Sequence, residues 1–246
     1  MMNLIELVPR SLESVTADAA HLLTQYSHVN GINIPDVRRL PIRSYDVAKV
    51  FLSHGYFVVP HIRSVDFTAE TAIILFDELV GLGLTHVLVV SGDVYPELAH
   101  DAPLTAIDMI TLLKRRFPQL IVYGALDPYR TSAEAELSYC HQKLGVGCDG
   151  FFTQPFFDLE LSDWYLSRLT QTQLFLGISP VLTEKSKTYW TVRNHVTFSD
   201  FFQLDLRYNL RLAHDLMALA GKYNQHTYHM PITMDAREYV GALWPT

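Results

Sequence analysis

The stretch FVVPHIRSVDFTAETAIILFDELVGLGLTHVLVVSGD, residues 57–93, decides the fold. It opens with a continuous apolar run, Phe57 to Pro60, and nears its end with another, His86 to Val90. Neither run alternates with polar residues, which is the pattern of parallel strands buried on both faces. Between them, Thr68 to Leu82 carries helical spacing and opens with Thr-Ala-Glu-Thr, an N-cap with a capping-box option one residue later than ideal. A strand, a helix and a second strand make a βαβ unit. Each strand then runs into polar residues, Pro60-His61-Ile62-Arg63 after the first and Ser91-Gly92-Asp93 after the second.

The alternation continues outward in both directions. Further strands are expected at Leu4 to Val8, Val29 to Ile34, Leu120 to Tyr123, Gly150 to Thr153, Leu174 to Ile178 and Thr227 to His229. Helices are expected at Ser11 to Gln25, Leu104 to Phe117, Thr131 to Leu144, Asp158 to Thr170 and Asp205 to Lys222. Eight strands in 246 residues give about 31 residues per unit, the scale of a (β/α)8 TIM barrel of class α/β. A doubly wound open sheet is the alternative, but no GxGxxG follows the first strand and no GxxxxGK[ST] occurs. With no linker or low-complexity tract, residues 1–246 read as a single barrel domain. Residues 180–205 fit least well: the helix after the seventh strand reads as short, and the apolar run Val196 to Phe202 has no obvious place.

Composition narrows the class of partner. Lys and Arg number 19 against 26 Asp and Glu, a net charge of −7, and 49% of the residues are apolar. That excludes a disordered chain and argues against a nucleic-acid surface, which needs a basic patch. No run approaches the ~18 apolar residues of a membrane span, and the opening MMNLIELVPR lacks the regions of a signal peptide. A cytoplasmic protein acting on small molecules is expected. Two cysteines, Cys140 and Cys148, with no metal-ligand spacing exclude a disulfide framework and give no reason to expect a metal.

In a barrel, chemistry gathers at the C-terminal ends of the strands, and polar residues fall there. Glu6 lies within an apolar strand, where an unpaired carboxylate costs several kcal/mol; burial raises its pKa and makes it a candidate general acid. Asp93, after Gly92 in a strand-end turn, is either a cap for the next segment or a functional carboxylate. His61 after Pro60 is a turn histidine or a ligand contact. Gln154 ends an apolar strand and suits the edge of a heterocycle, and His229 ends the eighth strand. Lys143 near its helix end suits the helix dipole or an anion. Tyr189, Trp190, Phe201 and Phe202 pack or stack on a planar ligand. With no nucleophile elbow, no metal cluster and no lysine at a strand end, this set orients and polarises, which suits a bound organic cofactor.

At these residues the sequence resembles the methylenetetrahydrofolate reductase family, flavin-dependent (β/α)8 barrels of one-carbon metabolism. Ile5-Glu6-Leu7-Val8-Pro9-Arg10 stands for the family's Phe-Glu-Phe-Phe-Pro-Pro, Pro60-His61 for its Pro-His, and Ser91-Gly92-Asp93 for its Arg-Gly-Asp. Tyr123 follows, then a helix with Glu136 and Lys143. Thr153-Gln154-Pro155-Phe156-Phe157-Asp158 stands for Thr-Gln-Phe-Phe-Phe-Asp, and Gly177-Ile178-Ser179-Pro180 for Gly-Ile-Leu-Pro. The resemblance implies that Glu6 is the general acid that protonates the folate, that Asp93 lies near flavin and pterin as a second catalytic residue that tunes the flavin potential and supports folate binding, and that Gln154 hydrogen-bonds the pterin and, in the other half-reaction, the nicotinamide. It assigns Asn33, His61, Asp93, Tyr123, Glu136 and Lys143 to FAD, with Glu136 on a ribose and Lys143 on the pyrophosphate.

The expected activity is therefore FAD-dependent interconversion of 5,10-methylenetetrahydrofolate and 5-methyltetrahydrofolate, with NADH or NADPH as electron donor, in methionine biosynthesis. A homo-oligomer or a partner subunit is implied by the same resemblance. The chain departs from the family where Ser91 replaces an arginine, Arg10 a proline and Asp127 a phosphate-side histidine, and where Gly31 to Asp36 replaces Thr-Tyr-Gly-Ala. These departures keep two alternatives open: a flavin-free folate-binding methyltransferase or methyl-carrier component, and a non-catalytic subunit of a reductase complex.

Overall fold

The computed structural model describes residues 1–93 and 103–245. Eight parallel strands close on themselves in chain order: β1 (Asn3–Glu6), β2 (Gly31–Ile34), β3 (Val58–Arg63), β4 (His86–Val90), β5 (Ile121–Leu126), β6 (Gly150–Pro155), β7 (Gln173–Ile178) and β8 (His226–His229). The barrel closes through β1 and β8, where Asn3 lies opposite Thr227, Leu4 opposite Tyr228 and Ile5 opposite His229. The helices surround it: α1 (Leu12–Gln25), α2 (Ser44–Ser53), α3 (Ala69–Gly81), α4 (Ala106–Arg116), α5 (Ala133–Gly145), α6 (Leu159–Arg168), α7 (Glu184–Asn194), α8 (Leu206–Lys222) and α9 (Ala236–Leu243). The chain is thus a (β/α)8 barrel, as the alternation of apolar runs implies.

Strand parity divides the core into two layers. Leu4, Val59, Leu88, Tyr123, Phe152, Phe175 and Tyr228 point inward and fill the barrel, with Phe152 and Phe175 stacked 4.2 Å apart. The intervening residues, among them Ile5, Ile32, Val58, Val87, Val122, Phe151 and Leu174, face the helices. Both faces are therefore dry, which is why these strands read as unbroken apolar runs.

Side chains set the helix starts. Ser11, Thr68, Thr105, Ser132, Asp158, Thr183, Asp205 and Asp235 each accept a hydrogen bond from a backbone N–H of the first turn. Helix α2, absent from the sequence expectation, follows Arg43 and has no such side-chain cap. Strands β3, β5 and β6 run two to three residues further than expected. The extension matters, because it puts His61, Arg63 and Gln154 inside strand ends instead of loops.

The awkward stretch after β7 also finds its place. It forms α7 and then a loop whose Val196, Phe198 and Phe202 pack with Phe157, Val181 and Trp190 in a separate apolar cluster. Phe201, by contrast, is exposed. No helix among the described residues is long and apolar enough to cross a membrane.

Candidate functional site

At the C-terminal end of the barrel a cleft of about 530 Å³ opens between the strand ends, α5 and α7, within the range of roughly 300–1,000 Å³ usual for small-molecule sites. Glu6 stands in its floor. It shares the inward parity of Leu4, two residues earlier, so the strand that closes the barrel also aims its carboxyl into the cleft. The Tyr228 hydroxyl donates to Glu6 Oε2. Burial raises the Glu6 pKa from its ordinary 4.5 to about 7, and the bond from Tyr228 pulls the other way without cancelling it. A carboxyl poised there can give and retake a proton near neutral pH.

His61 borders the same floor, its ring edge-on to Tyr228 at 6.1 Å. Burial pushes it down to about 3, so the imidazole is neutral. Its Nε2 lies 3.1 Å from the side-chain nitrogen of Asn33. The amide is the donor in this pair, so the ring proton sits on Nδ1. Asn33 itself is fully buried behind His61, with its Oδ1 unpartnered. It supports the histidine and does not border the cleft.

Gln154 shares the inward parity of Phe152, two residues earlier in β6, and borders the cleft. The register with β7 shifts between Phe152 and Pro155, and the Thr153 hydroxyl accepts from the Gly177 N–H at 2.8 Å. A Cβ at position 177 would stand 2.6 Å from the Thr153 carbonyl oxygen, so only glycine permits this approach. Tyr189 and Trp190 of α7 form an aromatic wall of the same cleft.

The β5–α5 side carries Asp127, Arg130, Glu136, Tyr139 and Lys143. Glu136 is almost wholly buried; it accepts from the Asp127 N–H at 3.1 Å and pairs with Arg130 at 2.5 Å. Lys143, equally buried, donates to the Ala125 carbonyl at 2.5 Å and lies 4.0 Å from the centre of the Tyr139 ring. Burial lowers the Lys143 pKa and raises that of Asp127.

Of the residues singled out from sequence, Glu6, His61, Asp93, Gln154, Glu136 and Lys143 come together around one cleft. Tyr123 does not. It points toward the opposite end of the barrel, where its hydroxyl donates to Gln173 and its ring stacks on His86, both at the starts of their strands. His229 also turns away, out toward Tyr239 and Trp244 of the α9 segment. Sequence reasoning missed Tyr228, one residue away and of inward parity. It also left Arg63, Arg130 and Tyr139 unassigned. A second cleft of about 460 Å³ lies between the β1–α1 and β8–α9 loops and meets the first at Glu6 and Ile232.

The fold and this mouth define a parallel-barrel protein whose strand ends hold a protonatable carboxyl among groups suited to a polar heterocycle. The chain belongs to the methylenetetrahydrofolate reductase family, whose sequence model matches residues 40–193. No curated protein sequence gives a match. Among solved structures, an uncharacterized protein from Clostridium thermocellum, described as binding two copies of 5-methyl-5,6,7,8-tetrahydrofolic acid, superposes with a TM-score of 0.71. The two share 13% identity over 98% of this chain and 92% of that one. A dihydropteroate synthase from Coxiella burnetii in complex with pteroic acid gives 0.53 at 13% identity, over 98% and 90%. A 2,3-dimethylmalate lyase gives 0.60 at 10% identity, over 99% and 78%. At these identities the likeness is one of fold.

The residues present do not fit a flavin dinucleotide as the family resemblance would place it. Glu136 and Lys143, assigned to ribose and pyrophosphate, are buried and already engaged with Arg130 and the Ala125 carbonyl. Asp127 adds a carboxylate where phosphate charge would lie, and Tyr123 is at the other end of the barrel.

Proposed function

We propose that this chain binds a reduced folate in the barrel mouth, with Glu6 as the proton donor to the bound ligand. The observation that carries this reading is the Glu6–Tyr228 pair: a carboxyl held near pH 7 by burial in the floor of the cleft. Family membership and the folate described in the Clostridium thermocellum structure support the ligand class. Gln154 offers an amide, and Asp93 a carboxylate, to the hydrogen-bonding edge of a pterin, while Tyr189 and Trp190 offer aromatic faces. Neutral Glu6 would protonate the folate as its methylene bridge opens, and the ionised form would take the proton back in the reverse direction.

The resemblance further implies hydride transfer through FAD from NADH or NADPH. The closed β5–α5 wall favours the other reading, a flavin-free folate-binding methyltransferase or methyl-carrier component. Two measurements decide. Calorimetry with 5-methyltetrahydrofolate is expected to show saturable binding by the wild-type chain, and its absence would sink the folate reading. The visible spectrum of the purified chain, before and after incubation with FAD, is expected to stay colourless on the flavin-free reading. Flavin bands that bleach under NADH or NADPH and return with methylenetetrahydrofolate would instead establish the reductase.

A further inference from the structure

Position 91, the arginine of the family's Arg-Gly-Asp motif, is serine in this chain, yet the turn still holds a guanidinium. Arg63, at the end of β3, lies against the turn that follows β4. An ideal Cβ on Gly92 would come within 2.8 Å of Arg63 Cζ and 3.1 Å of its Nε, so glycine lets the arginine lie flat on the turn backbone. Gly92 has φ of +82°, which makes it glycine's position on backbone grounds too. The guanidinium donates to the Asp93 carbonyl at 2.6 Å, and the Val65 N–H bonds the Ser91 carbonyl at 3.3 Å.

Arg63 is in turn held in place. Only 6% exposed, it pairs with Asp66 at 3.2 Å. Asp66 also meets Arg43 at 2.6 Å and Arg38 at 3.5 Å, and Arg43 grips Asp36 through two further bonds. Among the described residues this network holds three guanidiniums and two carboxylates. It ties the loops after β2, β3 and β4 together beside the cleft, whose lining includes Arg63 and Asp93.

We propose that Arg63 supplies from β3 the cation that the family motif places at position 91, as a positioning residue that fixes the Asp93 turn against the ligand. The proposal rests on the folate reading of the cleft. Loss of this bond frees the turn that carries Asp93, and the expected effect is about a tenfold loss of affinity for the ligand. Ser91 is exposed, leaving room for a longer side chain.

The test is a rescue, read by calorimetry with 5-methyltetrahydrofolate and by thermal melting. R63S is expected to bind about tenfold more weakly than wild type, and the double variant R63S/S91R to regain most of that loss, a recovery that repair of the β3 packing alone would not give. Wild-type affinity in R63S overturns the proposal, as does a double variant that melts cooperatively but binds no better than R63S. Should R63S fail to fold, R63Q decides: it keeps much of the stem but not the charge, so weaker binding with wild-type melting supports the proposal and unchanged binding overturns it. A wild-type chain that binds no folate overturns the folate reading and this proposal together, whereas binding that ignores Arg63 overturns this proposal alone.

Discussion

Glu6 ties the chemistry of the mouth to the stability of the chain. Its pKa is about 7 in the folded protein against 4.5 ordinarily, so between those values the folded state holds a proton that the unfolded state has lost. Stability from this group is therefore greatest at low pH and falls as pH rises from 4.5 through 7. E6Q, which keeps the shape without the charge, is expected to match wild type near pH 4.5 and exceed it by up to about 3 kcal/mol at pH 8. Denaturant titrations at the two pH values check this, and a pH-independent difference would refute it. Because the Tyr228 bond lowers the Glu6 pKa, Y228F is expected to move the carboxyl titration upward, read by infrared absorption of the protonated carboxyl. A downward shift would remove Tyr228 from its role. The buried histidines have the opposite sign. His61 and His229 are both held near 3, so their contribution is complete above about pH 6.5 and is lost as pH falls toward 3.

At the scale of elements, the turn after β4 gives a sharp expectation. G92A meets both a positive φ and the Arg63 side chain, and should destabilise by about 1–3 kcal/mol, measured by chemical denaturation. An unchanged midpoint would show that the turn relaxes freely. The elements also show what could be read in advance. The eight strands were legible because both faces are dry, so VLVV and FVVP carry no polar interruption. Helix α2 was not, because Arg43 gives no capping side chain at its start. Helix α7 was read only as a short segment, because EKSKTYWTVRN presents no apolar stripe and buries little beyond Ser186 and Trp190. The site was legible where a polar residue broke an apolar strand, as at Glu6 and Gln154. It was misread where only parity decides: His229 and Tyr228 are neighbours, and the register opposite Leu4 sends Tyr228 inward. Tyr123 has inward parity, but its depth along the barrel places it at the far end, and depth leaves no mark in a short motif.

For the molecule as a whole, the two thiols report on the integrity of the barrel. Cys140 and Cys148 are buried, and burial pushes them up to about 12 and about 11. Neither should be alkylated by iodoacetamide at neutral pH while the chain is folded, since the thiolate is the reactive form. Labelling is expected to appear with the unfolding transition, followed by mass spectrometry across a denaturant series. Modification well before that transition would reveal a local opening of α5 or of the turn into β6.

The closure of β1 on β8 has one more consequence. Glu6 and Tyr228 are 222 residues apart in the chain and face each other across the seam of the ring, next to the Asn3–Thr227 and Met2–His226 bonds. A chain emerging from the ribosome delivers Glu6 222 residues before Tyr228. Until then the carboxyl has neither its hydroxyl partner nor the dry wall that keeps its proton. A chain stopped before β8 carries Glu6 without the wall that buries it, so an acid poised at the mouth certifies that synthesis has run to the eighth strand.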